Sequence, residues 1–299
     1  MLLRGPSNGK KRVEKAEAGA LSAALPPLML RAEQLAKNFN PGTHGRRKAG
    51  TGEDFWQFRH YNEQDSTSEI DWRQSAKRDQ LYIRQKELET AESVWFWMDS
   101  SPNMAFKSDL ADHSKQSEGR VLTLATAMLL MRGGENFGLI GGAPRTSHGT
   151  VAFERFAETL IHQSGLNLDA LVQKSSISRK SRLVLVSDFL YPPDEIEKCL
   201  RMFSRLGCPG ILLHMADPAE VDFPYSGRTL FEGLSERVSL TLGRAESIKE
   251  QYQTLFAAHE KNLQNLAQSL SWDYIFHSTE NPASPALASL YQALEGGRG

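Results

Sequence analysis

The stretch Val94 to Met104, VWFWMDSSPNM, constrains this chain more than any other. Five apolar residues, Val94 to Met98, run directly into Asp99 and then into small polar residues. An uninterrupted run of that kind suits a strand buried on both faces, as in a parallel sheet. A lone carboxylate is costly inside such a strand, so Asp99 is expected at its C-terminal edge. That edge is where open α/β sheets hold their ligand sites. Arg182 to Asp188, RLVLVSD, repeats the arrangement. Two strand-end aspartates are therefore expected to face one cleft, both open to a partner at its mouth. Asp99, Ser101 and Asn103 add three oxygen-bearing side chains within one turn, a hard-donor set of the kind Mg²⁺ prefers.

The remainder of the chain supplies material for such a sheet. Asn136 to Ile140, Leu183 to Val186, Ile211 to Met215 and Trp272 to Phe276 read as further strands. Helical patterns alternate with them at Gly119 to Arg132, around Phe153 to Leu160, at Pro193 to Leu206, Ala245 to Leu270 and Pro285 to Leu294. On the Ala245 to Leu270 helix, Ile248, Tyr252, Leu255, Phe256, Leu263, Leu266 and Leu270 are expected on one side. This alternation predicts an α/β fold, a mainly parallel sheet with helices on both faces. Thr229 to Leu242 breaks the rhythm: TLFEGL and RVSLTL, split by a polar turn, predict a β-hairpin insertion.

Upstream, residues 1–24 are rich in Gly, Ser, Lys and Ala and are expected to form a poorly ordered basic arm. Pro27 opens a helix whose stripe is Leu28, Ala32, Leu35 and Phe39. A basic glycine-rich loop, Gly42 to Gly52, and two short strands, Phe55 to Tyr61 and Leu81 to Lys86, follow. The expected organisation is thus an arm (1–24), a small N-terminal β-containing accessory segment (25–90) and a main domain (91–299).

Charge is uneven. Residues 1–48 carry ten Lys/Arg against three Asp/Glu, hence +7, and the rest carries 25 against 33, hence -8. The arm is read as a solvated tail, with nucleic-acid binding the less favoured alternative. Cys199 and Cys208 lack a metal-ligand spacing and are expected to be reduced thiols. No stretch has the length and apolarity of a membrane span, and LSAALPPLML is short and broken by Pro26 and Pro27. A cytoplasmic location is expected. His259 and His277 have no paired ligand spacing and are read as packing or solvated histidines.

Asp99-x-Ser101-x-Asn103 resembles the Asp-x-Ser-x-Ser metal-ion-dependent adhesion site of von Willebrand factor A domains. HGRRKAGTGEDFWQFRHY, EIDWRQSAKRDQLYIRQKE, WFWMDSSPNM and LVLVSDF together resemble one bacterial family containing such a domain. It is the domain-of-unknown-function family fifty-eight, often encoded beside MoxR-type AAA+ ATPases. The likeness runs from about Pro41 to the C-terminus. It implies a von Willebrand A-like, Rossmann-like fold and a MoxR-type AAA+ ATPase as partner. The family's Arg-x-Tyr, Gly-Asp, Ile-Asp-Trp-Arg and Ser-Ala-Arg elements meet Arg59, Tyr61, Asp65, Ile70, Asp71, Trp72, Arg73, Ser75, Ala76 and Arg78, with Gln64 in place of the usual glycine and Lys77 added. Arg46, Arg47, Arg59, Tyr61, Asp71, Trp72, Arg73 and Arg78 are accordingly partner-binding candidates. Their competing reading is structural, with Trp72 an apolar anchor and Asp71 paired to Arg73 or Arg78.

For the adhesion site, the resemblance implies Mg²⁺ held by Asp99, Ser101 and Asn103, with Asp188 orienting a water and an open position accepting a partner's exposed carboxylate. Leu166 stands where a threonine is usual and cannot ligate; Asn167, Thr159 and Thr150 are the substitutes at hand. Two arrangements stay open: a metal site, or a metal-free one in which Asp99 bonds loop amides. The expected function is a non-catalytic protein-interaction module, acting in assembly or maturation of another protein. The alternative is a divalent-metal-dependent hydrolase or phosphatase using Asp99. It lacks the second acid, for Ser101 occupies that place two residues on.

Overall fold

The computed structural model describes residues 24–39, 55–60, 72–75, 81–86, 93–163, 168, 171, 177, 181–233 and 239–296. They fall into two units, those within 41–91 and the rest. In the first, β1 (Phe55–His60) pairs antiparallel with β2 (Tyr82–Lys86), placing Arg59 opposite Ile83. A one-turn helix, Trp72–Ser75, lies between them in sequence.

The larger unit is built on five parallel strands: β3 (Ser93–Met98), β4 (Asn136–Leu139), β5 (Arg182–Ser187), β6 (Gly210–Ala216) and, after a hairpin, β9 (Asp273–Ser278). Their order is β4-β3-β5-β6-β9. Successive side chains of a strand point to opposite faces, and β3 obeys this over its whole length. Val94, Phe96 and Met98 enter one core, while Trp95 and Trp97 enter the other. The first core is covered by the helices Lys115–Arg132, Thr150–His162 and Ala283–Gly296 and by helical residues 24–38; the second by Pro193–Arg205 and Lys249–Ser269. Both faces are thus covered, as the continuous apolar runs require. The hairpin is β7 (Thr229–Glu232) with β8 (Ser239–Leu242), antiparallel, as its sequence predicts.

Three differences from expectation have local causes. Helical residues 24–38 were expected within the accessory segment, yet Leu28, Ala32 and Ala36 are buried in the main core, and Arg132 Nη1 donates to the Ala36 carbonyl at 3.0 Å. The helix read from Gly119 begins a turn earlier, at Lys115, where Ser114 caps it by accepting from the Ser117 amide at 3.2 Å. That first turn is polar, so apolar periodicity does not reveal it. On Lys249–Ser269 the buried side centres on Leu263 and Ala267, about 100° around the helix from Leu255, which faces solvent. Of the expected arm, 1–24, residues 1–23 lie outside the described residues, and Ala24 is already helical.

Candidate functional site

From β3 the chain crosses to β4 on one side and returns to β5 on the other. The gap above β3 and β5 is therefore the switch point of the sheet, where ligand crevices form. Met98 stands opposite Val186, and the Asp99 amide donates to the Val186 carbonyl at 2.9 Å. This register carries Asp99 and Asp188, each one residue past its strand, to the same edge. The predicted convergence is present.

The predicted openness is not. Asp99 is 0% exposed and Asp188 2%. Asp99 is engaged from within: Oδ1 accepts the Ser101 amide at 2.8 Å, and Oδ2 accepts the Ser187 hydroxyl at 2.6 Å and the Tyr191 phenol at 3.0 Å. The Ser187 oxygen in turn accepts the Phe189 amide at 2.8 Å. Phe189 has a left-handed backbone (φ 51°), uncommon for a bulky residue, and is held there by full burial of its ring. Neither carboxylate can meet a partner directly, because the loops that converge on them also cover them.

Asp188 faces a cation supplied by the chain itself. Lys115 Nζ lies 2.8 Å from Asp188 Oδ2 and 2.6 Å from Glu220 Oε1, fully buried, with its charge 5.9 Å from the centre of the Phe106 ring. Glu220 belongs to a capping box on the short helix Pro218–Asp222: its Oε2 accepts the Asp217 amide at 2.8 Å, while Asp217 Oδ1 accepts the Ala219 amide at 2.9 Å. Asp217 Oδ2 accepts the Ser108 amide at 2.9 Å, and Asp188 Oδ1 the Leu190 amide at 3.2 Å. One buried network thus ties together the loops after β3, β5 and β6. Two of these loops present large apolar side chains to water, Leu110 at 53% exposure and Leu190 at 51%.

Burial raises the Asp99 pKa against the lowering by its three donors, and the Asp188 charge adds to the rise. Burial lowers the Lys115 pKa, but Asp188 and Glu220 outweigh it and the net shift is upward. Burial also raises the Glu220 pKa, against the lowering by the Lys115 ammonium. The Tyr191 phenol is pushed well above its ordinary range by burial and then by Asp99. Farther in, His214 and Tyr274 share a 2.7 Å hydrogen bond, His259 packs at 5.7 Å, and burial lowers His214 to about 3. His277 is buried too. These are neutral packing histidines.

Of the four metal candidates, Asp99, Ser101 and Asp188 gather at the switch point. Asn103 sits in the 3-10 turn Pro102–Ala105, its carbonyl accepting the Phe106 amide at 3.1 Å. As folded, this donor set does not fit Mg²⁺: an ammonium pairs with Asp188, and both Asp99 oxygens accept hydrogen bonds. Among the described residues no group of three His, Cys, Asp or Glu could hold a metal ion. Thr159 donates to the Arg155 carbonyl of its own helix at 2.7 Å, and Thr150 begins that helix. Leu166 and Asn167 lie outside the described residues, as do Arg46, Arg47, Tyr61, Asp71 and Arg78. Arg59 is in β1 and Arg73 in the one-turn helix, where Trp72 is 65% exposed. Lys115, Ser187, Tyr191, Asp217 and Glu220 were not foreseen. Only Asp217-Pro-Ala-Glu220 carries a readable signal, the capping-box spacing with proline at the first helical position.

A family model described as a protein of unknown function, DUF58, matches residues 57–262. No curated protein matches the chain. Among solved structures, the conserved hypothetical protein BatB from Bacteroides thetaiotaomicron is 11% identical, with a TM-score of 0.40, over 69% of this chain and 98% of that one. An aerotolerance-related membrane protein from Bacteroides fragilis is 15% identical, with a TM-score of 0.43, over 69% and 99%. An uncharacterized membrane spanning protein from Vibrio fischeri is 15% identical, with a TM-score of 0.18, over 70% and 100%. In this chain no helix among the described residues is long and apolar enough to cross a membrane.

Proposed function

We propose that this chain, which belongs to the DUF58 family, is a von Willebrand A-like protein-interaction module that docks a partner at the C-terminal mouth of its sheet without catalysing a reaction. The observation carrying the proposal is the pairing of a rigid interior with an apolar rim. The network of Asp99, Lys115, Asp188, Asp217 and Glu220 fixes three loops, and two of them hold Leu110 and Leu190 out in water. Apolar side chains on preorganised loops lose little entropy on association, which favours docking. The parallel order β4-β3-β5-β6-β9, with Asp99-x-Ser101-x-Asn103 after β3, supports the von Willebrand A-like assignment.

The family resemblance supplies the partner class, a MoxR-type AAA+ ATPase, and the setting, assembly or maturation of another protein. Docking through a partner's carboxylate on Mg²⁺ has less support, since Asp188 would first have to leave Lys115. The hydrolase alternative has less still: both oxygens of Asp99 already accept hydrogen bonds, and the neighbouring acid, Asp188, is paired with Lys115.

Pull-down of such an ATPase by wild type, Leu110→Asp and Leu190→Asp tests the proposal. Capture is expected with wild type and is expected to fall at least about tenfold with either variant, since a charge then faces an apolar contact. Equal capture by all three would remove the rim from the interface. Metal-dependent phosphatase turnover that disappears in Asp99→Asn would establish the hydrolase instead.

A further inference from the structure

We infer that Lys115 is the resident cation of the switch-point cleft, standing in for the divalent ion that the Asp-x-Ser-x-Asn loop resembles a site for. The inference concerns the cleft's own chemistry and depends on no partner. Fully buried lysines are rare unless paired, and this one has two carboxylates within hydrogen-bond distance, at 2.8 Å and 2.6 Å. Its location argues the same way. Lys115 is the first residue of its helix, where the backbone dipole disfavours positive charge. Burial and dipole both oppose an ammonium there, so Asp188 and Glu220 must dominate. The Phe106 ring adds its electron-rich face on another side.

The consequence for metal binding is direct. A second cation bound to Asp188 would lie beside the ammonium and be repelled by it. On Asp99, Oδ2 already accepts two hydrogen bonds and Oδ1 one, so a cation there would have to share Oδ1 with the Ser101 amide or displace the Ser187 or Tyr191 hydroxyl from Oδ2. Lys115 therefore neutralises and orients Asp188 permanently, with no dependence on ion supply. The arrangement that a chelator dismantles in a metal site is here part of the covalent chain.

The test uses the full-length protein, with Mg²⁺ followed calorimetrically and Mn²⁺ by electron paramagnetic resonance. Wild type is expected to show no saturable binding of either ion at millimolar concentration that Asp99→Asn abolishes, and no change in Tm on adding chelator. Lys115→Met leaves Asp188 and Glu220 facing each other without a counter-charge. Its Tm is expected to fall by about 6 °C or more, and its Mn²⁺ affinity to rise by about tenfold or more as the carboxylates become available. Saturable Mg²⁺ or Mn²⁺ binding by wild type that is lost in Asp99→Asn would overturn the inference. So would a folded Lys115→Met protein with wild-type Tm or wild-type Mn²⁺ affinity. If Lys115→Met does not fold, the wild-type titration against Asp99→Asn decides alone.

Discussion

Asp99 is an acid surrounded by donors but removed from water, and the two influences oppose each other. Burial raises its pKa, and the hydrogen bonds from Ser187, Ser101 and Tyr191 only partly reverse the rise. A carboxyl raised in this way holds its proton more readily folded than unfolded. Its contribution to stability is fully present below the unfolded value of about 3.9 and is lost as pH rises through the folded value. Asp99→Asn keeps the shape and removes the titration. Thermal melts taken from about pH 7 down to about pH 4 should therefore show wild type gaining on the variant as pH falls. A difference that stays constant across that range would mean the carboxyl is not raised. At the same scale, Lys115 shows how one residue changes the meaning of a motif: beside it, Asp188 is half of an ion pair before any ligand arrives.

Elements in this fold approach one another as closely as glycine permits. A Cβ on Gly210, the first residue of β6, would lie 2.3 Å from Trp272 Cε3, because the indole lies against that backbone. A Cβ on Gly119 would lie 2.8 Å from Met98 Cε, the free end of a flexible side chain, and 3.1 Å from Val186 Cγ1, a less severe approach. The two contacts differ in what can move. The Trp272 ring is buried and has nowhere to go, so Gly210→Ala is expected to destabilise by about 1–3 kcal/mol. Gly119→Ala should cost less, because the methionine end can rotate and alanine is the better helix former. Urea melts of both variants measure this. The expected outcome is a lower midpoint for Gly210→Ala at unchanged slope, and a larger loss at Gly119 would contradict the packing argument.

For the molecule as a whole, stability is concentrated where strands are paired on both edges and covered on both faces. β3, β5 and β6 meet both conditions. The β7–β8 hairpin has two strands only, with Leu230 and Leu240 more than half exposed. Backbone amides of β3, β5 and β6 are expected to exchange slowest with solvent, near the global unfolding limit, and those of the hairpin much faster. Hydrogen exchange read by mass spectrometry gives the ranking directly. Equal protection of the hairpin would show that it belongs to the cooperative core.

Much of this architecture was legible in the order of residues. The apolar runs before Asp99 and Asp188 specified two buried parallel strands, and the charge at each end specified where the strands stop. Period-two and period-3.6 patterns and turn residues act over a few neighbours, so a reader of the chain can see them. Convergence of the two aspartates at one edge followed from that alone. What fills the space between them was decided in three dimensions. Lys115 meets Asp188 across 73 residues and Glu220 across 105, and the polar first turn that carries it has no periodicity to betray it. The burial of both aspartates was equally out of reach, since it depends on three loops closing over one edge of the sheet. Local rules place a carboxylate at the end of a strand; only the packed chain determines whether a metal ion, a partner or its own lysine stands opposite.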